Sequence, residues 1–495
     1  MPKRATPFEL ILPVRETGVP AYRWLYTALR AEILGGRLRP GTRLPGTRDL
    51  GAQYGLSRGT IVNAFGQLES EGYVEGSVGS GTFVSKTLPD ELPVTRLSAR
   101  PELWPPKPRR SLSDYRRRVA PFSMLEVRPS RAFRPNLPAL DLFPLALWAQ
   151  VTARRLRRAK ASLLLGCDPM GYEPLREAVA DYLNAARGVK CAAAQVAIVS
   201  GVQEALDLVA RLFLNPGDRV AMEDPGYPGA SIVFAAFGAR ISRAPVDDEG
   251  MEVRGARLRG SRLVYVTPAH QFPLGTTMSL SRRLALLEWA QRSGAVIFED
   301  DYDGEFRYST RPIPALQGLD RSGHVLFAGS FSKVLFPSLR LGYLVVPKDL
   351  VPRLAATKSV TVRHPPLLDQ AVLCDFITEG HFGRHLRRMR EVYAERLSVL
   401  LEGARERLAG LLEIASVEAG LQTAGWLGAG ISEVRAAEAA AARGVEVTPL
   451  GHYRVGSSGR EGLQLGFAAV DTQEIRRGIR ELEVALQETV SSGAS

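Results

Sequence analysis

The sequence has few cysteines and no long hydrophobic run. Cys167, Cys191 and Cys374 are an odd set among 495 residues, and no pair has C-x-x-C spacing. This predicts neither a disulfide framework nor a zinc cluster. No run approaches the roughly 18 apolar residues of a membrane span, and the start MPKRATPFEL lacks the apolar core of a signal peptide. We therefore expect a cytoplasmic protein with no membrane association and no metal site.

Positive charge is abundant and unevenly distributed. The net charge is +12, and residues 1–128 contain 20 Lys and Arg against 12 Asp and Glu. A basic end joined to a near-neutral body indicates a polyanion-binding module attached to something else. Composition alone does not separate DNA, RNA and a solubilising surface. At 495 residues the chain is also too long for one core, so two or three domains are expected.

The N-terminal region has the pattern of a winged helix-turn-helix. A helical stripe between residues 19 and 36 is followed by a Pro/Gly-rich connector, and Thr47 is a candidate N-cap for the helix TRDLGAQYG. Ser57 is a second candidate N-cap, opening SRGTIVNAFGQLESEG, and YVEGSVGSGTFVSK predicts a hairpin. The residues expected to be buried are Tyr22, Leu25, Leu29 and Ile33 in the first helix and Ile61, Phe65 and Leu68 in the third.

The helix that follows Ser57 is the one expected in a DNA major groove. Its first residues, Ser57, Arg58, Thr60 and Asn63, carry hydroxyl, guanidinium or amide groups suited to phosphates and base edges. Arg43 and Arg48 are expected near the DNA backbone, and Gly79 at the wing tip allows close approach to a groove. The alternative is that these residues are only solvated caps.

The run from RLRPGTRLPG to GSGTFV resembles the DNA-binding domain of GntR-family bacterial transcription factors over nearly its whole length. The resemblance implies that Arg48, Arg58, Thr60 and Gly79 contact an operator in double-stranded DNA. Val62 stands where some relatives have an arginine. One base contact is therefore absent or made by Asn63.

The chain is expected to have three parts. Residues 1–86 form the winged helix-turn-helix, and residues 87–130, dense in Pro and Arg, form an extended linker without helical or strand periodicity. Residues 131–490 form the body, with a large subdomain at about 165–350 and a small α+β subdomain at about 351–490.

The body alternates short apolar runs with amphipathic helices, which predicts an α/β fold with a mostly parallel sheet. Ligands of such sheets gather where strands end. The predicted strands are QVAIVS, DRVAMED, RLVYVTP, GAVIFED, HVLFAGS and LGYLVVP.

Chemically useful groups follow four of these strands. Ser200 to Gln203 open a helix whose N–H groups suit a phosphate. Asp300 and Asp301 could bind Mg²⁺, carry a proton or pair with a cationic ligand. Tyr227 could stack on a flat ligand, or it could be a turn residue that packs on the core. The fourth group is Lys333 with Ser330, Ser332 and Arg340. Together these groups match the phosphate, pyridine nitrogen, ring and aldehyde of pyridoxal 5′-phosphate (PLP). The lysine can react with the aldehyde only as the neutral amine, which a neighbouring cation or a desolvated site would favour.

The region from about residue 133 onward resembles fold-type I aminotransferases, and the whole chain resembles the MocR subfamily of GntR regulators. This implies that Lys333 forms the Schiff base with PLP, that Asp300 pairs with the pyridine nitrogen, and that Tyr302 bonds the phenolic oxygen while Tyr227 stacks on the ring. The phosphate positions implied by the resemblance are Val202, Gln203, Ser330, Ser332 and Arg340.

Two departures bear on whether the body is a sensor or an enzyme. The segment HQFPLG has Phe272 where aminotransferases commonly have an asparagine, and Leu274 where they have a threonine. The C-terminal arginine that grips a substrate carboxylate is also missing. His452 stands at the matching position, and His452 and Arg454 are the candidates for binding an effector carboxylate; Gln464 stands in LQLGF.

These departures favour a PLP-dependent regulator that senses an amine, an amino acid or PLP itself, with weak or no transaminase turnover. The resemblance to fold-type I aminotransferases implies a homodimer, and paired DNA readers would suit a repeated or palindromic operator. One alternative is a working aminotransferase with an accessory DNA-binding domain. Another is a DNA-binding protein whose body has lost PLP.

Overall fold

The computed structural model describes residues 10–77, 80–89, 111–119, 129–253, 257–308, 314–414, 418–455 and 459–491. The chain divides into two compact units, Met1–Arg110 and Ser111–Ser495. No helix in these ranges is both long enough and apolar enough to cross a membrane.

Among its described residues, the first unit has three helices and a hairpin around its own apolar core. Its elements are α1 (Ala21–Leu34), α2 (Thr47–Tyr54), α3 (Arg58–Ser70), β1 (Val74–Ser77) and β2 (Gly81–Val84).

The predicted caps and stripes of this unit are mostly present. Ser57 caps α3, because its hydroxyl oxygen accepts a hydrogen bond from the Thr60 N–H at 3.2 Å. Thr47, predicted as an N-cap, is instead the first residue of α2, whose cap is Gly46. Tyr22, predicted on the buried stripe, is 42% exposed because α1 begins only one residue earlier and its first turn extends beyond the core. All the other predicted stripe residues are buried.

The second unit contains the remaining helices and strands. Its helices are α4 (Asp114–Arg118), α5 (Leu145–Arg157), α6 (Ser162–Leu165), α7 (Glu173–Ala186), α8 (Val202–Phe213), α9 (Pro228–Ala236), α10 (Leu280–Ser293), α11 (Leu316–Leu319), α12 (Phe331–Val334), α13 (Val351–Val360), α14 (Leu367–Thr378), α15 (His381–Arg407), α16 (Glu433–Ala442) and α17 (Thr472–Ser491). Its strands are β3 (Val196–Val199), β4 (Arg219–Asp224), β5 (Arg240–Asp247), β6 (Gly250–Met251), β7 (Ser261–Val266), β8 (Val296–Asp301), β9 (Val325–Ser330), β10 (Gly342–Val345), β11 (Leu412–Ile414), β12 (Gln422–Leu427), β13 (Thr448–Pro449) and β14 (Gly462–Gly466).

Within the described residues the large sheet has eight strands in the order β3-β10-β9-β8-β7-β4-β5-β6. The pairings of β5, β4, β7, β8 and β9 are parallel, whereas β10 runs antiparallel to both β9 and β3. All six predicted strands are present. The sequence reasoning missed β5, which lies near the sheet edge and has alternating polar residues instead of an apolar run.

This topology brings the ends of distant strands to one edge. Gly342, the first residue of β10, pairs with Val199 at the end of β3 and with Ser330 at the end of β9. The carboxyl ends of β4, β7 and β8 point to the same edge because these strands are parallel to β9. The predicted site residues that follow these strands therefore come together.

A second sheet, β11-β12-β14-β13, is antiparallel within the described residues. The beginning of the body joins it, because Phe133 forms a bridge with Gly466, and Ala132 with Val445. Residues near position 133 therefore belong structurally with the C-terminal sheet.

The linker prediction needs one correction. Asp114–Arg118 is a short helix, α4, although the sequence has no helical period there. It packs on α9: the Tyr115 ring contacts Phe237, and Arg118 Nε donates to the Ala236 oxygen at 3.1 Å. Five residues are too few to show a period, and the helix is stabilised by the Ser113 cap and by this contact. Residues 90–110 and 120–128 lie outside the described residues.

Candidate cofactor site and DNA-reading helix

Helix α3 presents polar side chains at its N-terminal end. Arg58 and Asn63 are exposed, as is Val62, and Thr60 is half-buried. The Ser57 side chain is engaged as the cap and also bonds the Thr60 hydroxyl at 2.8 Å. Arg58 and Asn63 are therefore the exposed polar side chains at this end of the helix that the cap does not engage.

Of the other predicted DNA contacts, Arg43 lies beside the wing and Arg48 lies on α2. Arg43 is exposed and forms a bridge with Phe83 of β2, which places its guanidinium beside Gly81. Arg48 is exposed in the first turn of α2. Gly79 lies outside the described residues.

Lys333 lies in the one-turn helix α12, immediately after β9. Its Nζ donates a hydrogen bond of 2.6 Å to the main-chain oxygen of Asn136. Burial of the amine lowers the pKa of Lys333 to about 8, although the carboxylates of Asp303 and Asp300 act in the opposite direction. A neighbouring cation or a desolvated site was expected to favour the neutral amine. The structure shows the desolvated site.

The two neighbouring acids at the end of β8 have different surroundings. Asp300 lines a cavity shared with Lys333, accepts a hydrogen bond from the Tyr265 hydroxyl at 2.7 Å, and has a buried Oδ1 without a hydrogen-bond partner among the described residues. Asp301 forms an ion pair with Arg187 in the core, where Arg187 Nε donates to Asp301 Oδ2 at 2.8 Å. The two acids therefore do not form a joint metal site.

Burial also affects the protonation of Asp300. It raises the pKa of this carboxyl to about 7, opposed by the Tyr265 hydrogen bond. A cationic partner at the free Oδ1 would offset that penalty.

Aromatic side chains surround the same cavity. Tyr227, Tyr265, Phe272 and Tyr302 all line it. The Tyr227 ring meets Phe272 edge-on at 5.5 Å, and its hydroxyl accepts a hydrogen bond of 2.9 Å from Gln203 Nε2. The Tyr302 hydroxyl lies 3.0 Å from His270 Nδ1. A flat ligand between Lys333 and Asp300 would be enclosed by these rings.

The opposite end of the cavity has the features of an anion site. Val202 and Ser330 line it, and α8 begins there without a side-chain cap because Gly201 precedes it. Gly201 has φ +107°, and a Cβ there would lie 3.8 Å from the Arg340 guanidinium. Ser332 donates its main-chain N–H to the Ser330 hydroxyl oxygen at 3.2 Å. Free helical N–H groups, hydroxyls and an arginine suit a phosphate dianion.

A buried ion pair behind this end was not predicted. Lys358, fully buried in α13, donates to Glu204 Oε1 at 2.6 Å and to the Ile198 oxygen at 3.0 Å. Glu204 also accepts a hydrogen bond from the Ser200 N–H at 2.6 Å. The pair therefore holds the loop that precedes α8. An acid in a first helical turn is a common feature, so the sequence held no specific signal for it.

Two glutamines of the second sheet also approach the site. Gln422 Oε1 accepts a hydrogen bond of 2.8 Å from the Asn136 N–H, and Gln464 Oε1 accepts one of 2.7 Å from the Tyr453 hydroxyl. The role of Gln422 was not predicted, because it depends on the segment around Asn136 crossing from the first subdomain to the second.

Neither residue proposed from sequence for an effector carboxylate lines the Lys333 cavity. His452 is exposed in a short 3₁₀ helix, Leu450–Tyr453. Arg454 lies in a neighbouring groove, where its Nη2 donates to the Arg460 oxygen at 2.5 Å and its guanidinium stands 6.0 Å from the Trp426 ring centroid. Gln464 is fully buried on β14 and contacts Tyr453, which packs on the cavity-lining Phe272.

Both units match known protein families. Residues 21–84 match the family "Bacterial regulatory proteins, gntR family", and residues 138–482 match "Aminotransferase class I and II".

The chain is also similar to whole regulators. It is 41% identical to the probable rhizopine catabolism regulatory protein MocR of Rhizobium meliloti, over 97% of this chain and 96% of that protein. It is 29% identical to the pyridoxine biosynthesis transcriptional regulator PdxR of Corynebacterium glutamicum, over 96% and 97%.

Solved aminotransferases match the second unit. The kynurenine aminotransferase of Pyrococcus horikoshii, solved with PMP, is 29% identical with a TM-score of 0.67, covering 72% of this chain and 91% of that one. LysN of Thermus thermophilus, complexed with N-(5′-phosphopyridoxyl)-L-leucine, is 30% identical with a TM-score of 0.66, covering 73% and 92%. The chain belongs to the MocR subfamily of GntR-family regulators, PLP-dependent transcriptional regulators that join a winged-helix DNA-binding domain to a fold-type I aminotransferase domain.

Proposed function

We propose that the Lys333 cavity holds PLP. We further propose that an amine that enters this cavity changes the affinity of the protein for its operator. In this proposal Lys333 bonds the cofactor, Asp300 pairs with the pyridine nitrogen, Tyr227 covers the ring and Tyr302 binds the phenolic oxygen. The phosphate is bound by Val202, Gln203, Ser330, Ser332 and Arg340.

The observation that carries this proposal is the shared cavity of Lys333 and Asp300. A buried carboxylate oxygen without a partner costs stability, and a protonated ring nitrogen is a partner of the right charge. The amine with a lowered pKa lies in the same cavity, and the uncapped start of α8 lies at its other end. These three features suit the three ends of one PLP molecule.

The chemistry that PLP supplies when bound is an aldehyde that condenses reversibly with primary amines. Lys333 then has two alternative partners, this aldehyde and the Asn136 oxygen. The Asn136 segment in turn contacts the second sheet through Gln422. Lys333 is therefore placed to transmit a change in cavity occupancy to the segment that enters the body from the linker.

For the first unit we propose that Arg58, Asn63, Thr60, Ser57, Arg43, Arg48 and Gly79 contact the operator. The exposed Arg58 and Asn63 support this, as does the family's DNA-binding domain. We further propose that the protein acts as a homodimer in the cytoplasm, since paired readers suit a repeated or palindromic operator.

Sensing is favoured over steady turnover because of the side chains around Tyr302. Phe272 is buried against Tyr302 and Tyr453, with ring centroids at 5.9 and 5.1 Å, and contributes no hydrogen-bond donor to the cavity. A transaminase would need a tuned cofactor and a grip on an amino-acid carboxylate, and neither Phe272 nor the neutral Gln464 supplies these.

The test is cofactor loading of purified full-length protein. Wild type should show the visible absorbance of bound PLP, and Lys333→Ala should lose it while keeping its melting temperature within a few degrees. Lys348→Ala, which changes an exposed lysine, is the matched control and should load normally. Unchanged absorbance in Lys333→Ala would refute the assignment.

A further inference from the structure

One face of the second sheet carries two buried glutamines. Gln422 on β12 and Gln464 on β14 are 1% and 0% exposed. In the antiparallel register Gln422 pairs with Gly466, and Ala424 pairs with Gln464. Paired residues share a face, and residues two apart on a strand share a face, so both glutamines leave the same side of the sheet.

This face is joined to the Lys333 cavity at two points. Asn136 connects Gln422 to Lys333, since its N–H donates to the glutamine oxygen and its own oxygen accepts from the lysine. Tyr453 donates to Gln464 and packs on Phe272, which lines the cavity. Gln422 therefore contacts the cavity wall directly at Asn136, whereas Gln464 is joined to the wall through Tyr453 and then Phe272.

Each glutamine has an amide donor without a hydrogen bond of normal geometry. Gln422 Nε2 and Gln464 Nε2 are buried and make no such bond to a described residue, although the Gln422 side chain lies close enough to the Tyr302 hydroxyl to act to lower its pKa. The corresponding oxygens accept from Asn136 and Tyr453, so the two NH₂ groups can donate to an incoming ligand. A buried donor without a partner destabilises the folded protein. Two such donors on one face indicate a ligand that brings acceptors.

The charges around the cavity disfavour an anion at that end. Among the cavity-lining side chains of the described residues, Lys333 is the sole cation, and the cofactor would occupy it. The nearby ionisable groups that act on Lys333 are the acids Asp300 and Asp303. A carboxylate would lose much more hydration free energy on burial here than a hydroxyl or carbonyl oxygen, and the two nearby acids would repel its charge.

We propose that the effector is a primary amine whose other polar groups are uncharged hydrogen-bond acceptors such as hydroxyls, and that Gln422 and Gln464 bind those groups. This assignment rests on the proposed function, because the amine end of the effector is assumed to meet PLP at Lys333. It excludes α-amino acids as preferred effectors and points to amino alcohols.

The experiment compares amines of matched skeleton on PLP-loaded, full-length protein. Ethanolamine is titrated against glycine, and propanolamine against β-alanine, following the change in PLP absorbance. The amino alcohol should bind about tenfold or more tightly in each pair, as expected for one or two donors left unpaired by the wrong ligand. Equal or tighter binding of the amino acids would overturn the inference.

Variants at the two glutamines test their roles separately. Gln464→Arg should reverse the preference toward the amino acid, because it adds a cation on the same face. Gln422→Leu should weaken ethanolamine binding about fivefold or more while leaving glycine unchanged, and it keeps the inference testable if Gln464→Arg does not fold. Thr423→Val, between Gln422 and Ala424 but on the opposite face, is the matched control.

The two proposals fail in different ways. Wild type without PLP absorbance would contradict the proposed function itself. Normal PLP loading, combined with an unchanged ligand preference in both Gln464→Arg and Gln422→Leu, would overturn only the effector assignment.

Discussion

Lys333 Nζ and the main-chain oxygen of Asn136 are joined by a 2.6 Å hydrogen bond across 197 residues of sequence. The contact joins the candidate cofactor lysine to the segment that enters the body from the linker. An effector amine that takes the aldehyde would release Lys333 to this oxygen.

We therefore predict slower amide hydrogen exchange in residues 131–139 when an effector amine is added to the PLP-loaded protein. Hydrogen-exchange mass spectrometry of that peptide measures the effect. Lys333→Ala should show no difference between the two conditions. Equal exchange with and without the amine in wild type would count against the coupling.

Replacing the two neighbouring acids should have opposite consequences. Asp301→Asn removes the partner of the buried Arg187 and should cost about 3–5 kcal/mol of unfolding free energy. Asp300→Asn should weaken PLP binding about tenfold to a hundredfold, since a charge-assisted bond is lost. Thermal melts and PLP titrations separate the two outcomes.

In the cofactor-free protein, the effect of Asp300→Asn on the melting temperature should depend on pH. The folded-state pKa of about 7 lies above the ordinary value of 3.8, so the ionised carboxyl destabilises the fold. This penalty grows as pH rises from about 4 to 7 and persists above it. Asp300→Asn should therefore melt higher than wild type at pH 8 and differ little at pH 4. A lower melting temperature at pH 8 would contradict this.

Cofactor attachment should depend on pH through Lys333. Its amine has a pKa of about 8, and only the neutral amine attacks an aldehyde. The rate of PLP uptake should rise about tenfold per pH unit below pH 8 and level off above it. Rapid-mixing absorbance measurements on the cofactor-free protein test this. A rise that continues to about pH 10 would indicate an ordinary, solvated lysine.

DNA binding should depend on the exposed end of α3. Arg58→Ala should weaken operator binding by about 1–3 kcal/mol without changing PLP absorbance, because the two functions lie in separate units. Arg23→Ala, an exposed arginine on α1, is the matched control. Gel shifts at fixed salt that show equal losses for both variants would indicate general charge attraction and not recognition by α3.

Local pattern was enough to predict the strands and most of the N-terminal unit. All six predicted strands are apolar runs between helices, and Ser57 caps α3 because a hydroxyl before a helix has a local partner in the third N–H. The predicted N-cap of α2, Thr47, was wrong by one residue, because the cap is Gly46. Helix α4 was missed because five residues show no period and its stability depends on contact with α9.

The site residues that escaped prediction act over long sequence distances. Asn136 meets Lys333 only because the chain crosses between two sheets, and Arg187 selects Asp301 as a structural acid from 114 residues away. Gln464 was not predicted from sequence as an effector-binding residue, because its position opposite Ala424 depends on the strand register of the folded sheet.

The most direct measurement is a titration of operator DNA with the PLP-loaded protein in the presence and absence of ethanolamine. We expect the amine to change operator affinity severalfold or more in wild type, and we expect Lys333→Ala to bind the operator but no longer respond to the amine. An amine response that is equal in Lys333→Ala, or no response to any amine in fully PLP-loaded wild type, would contradict the central claim that this cavity is a sensor.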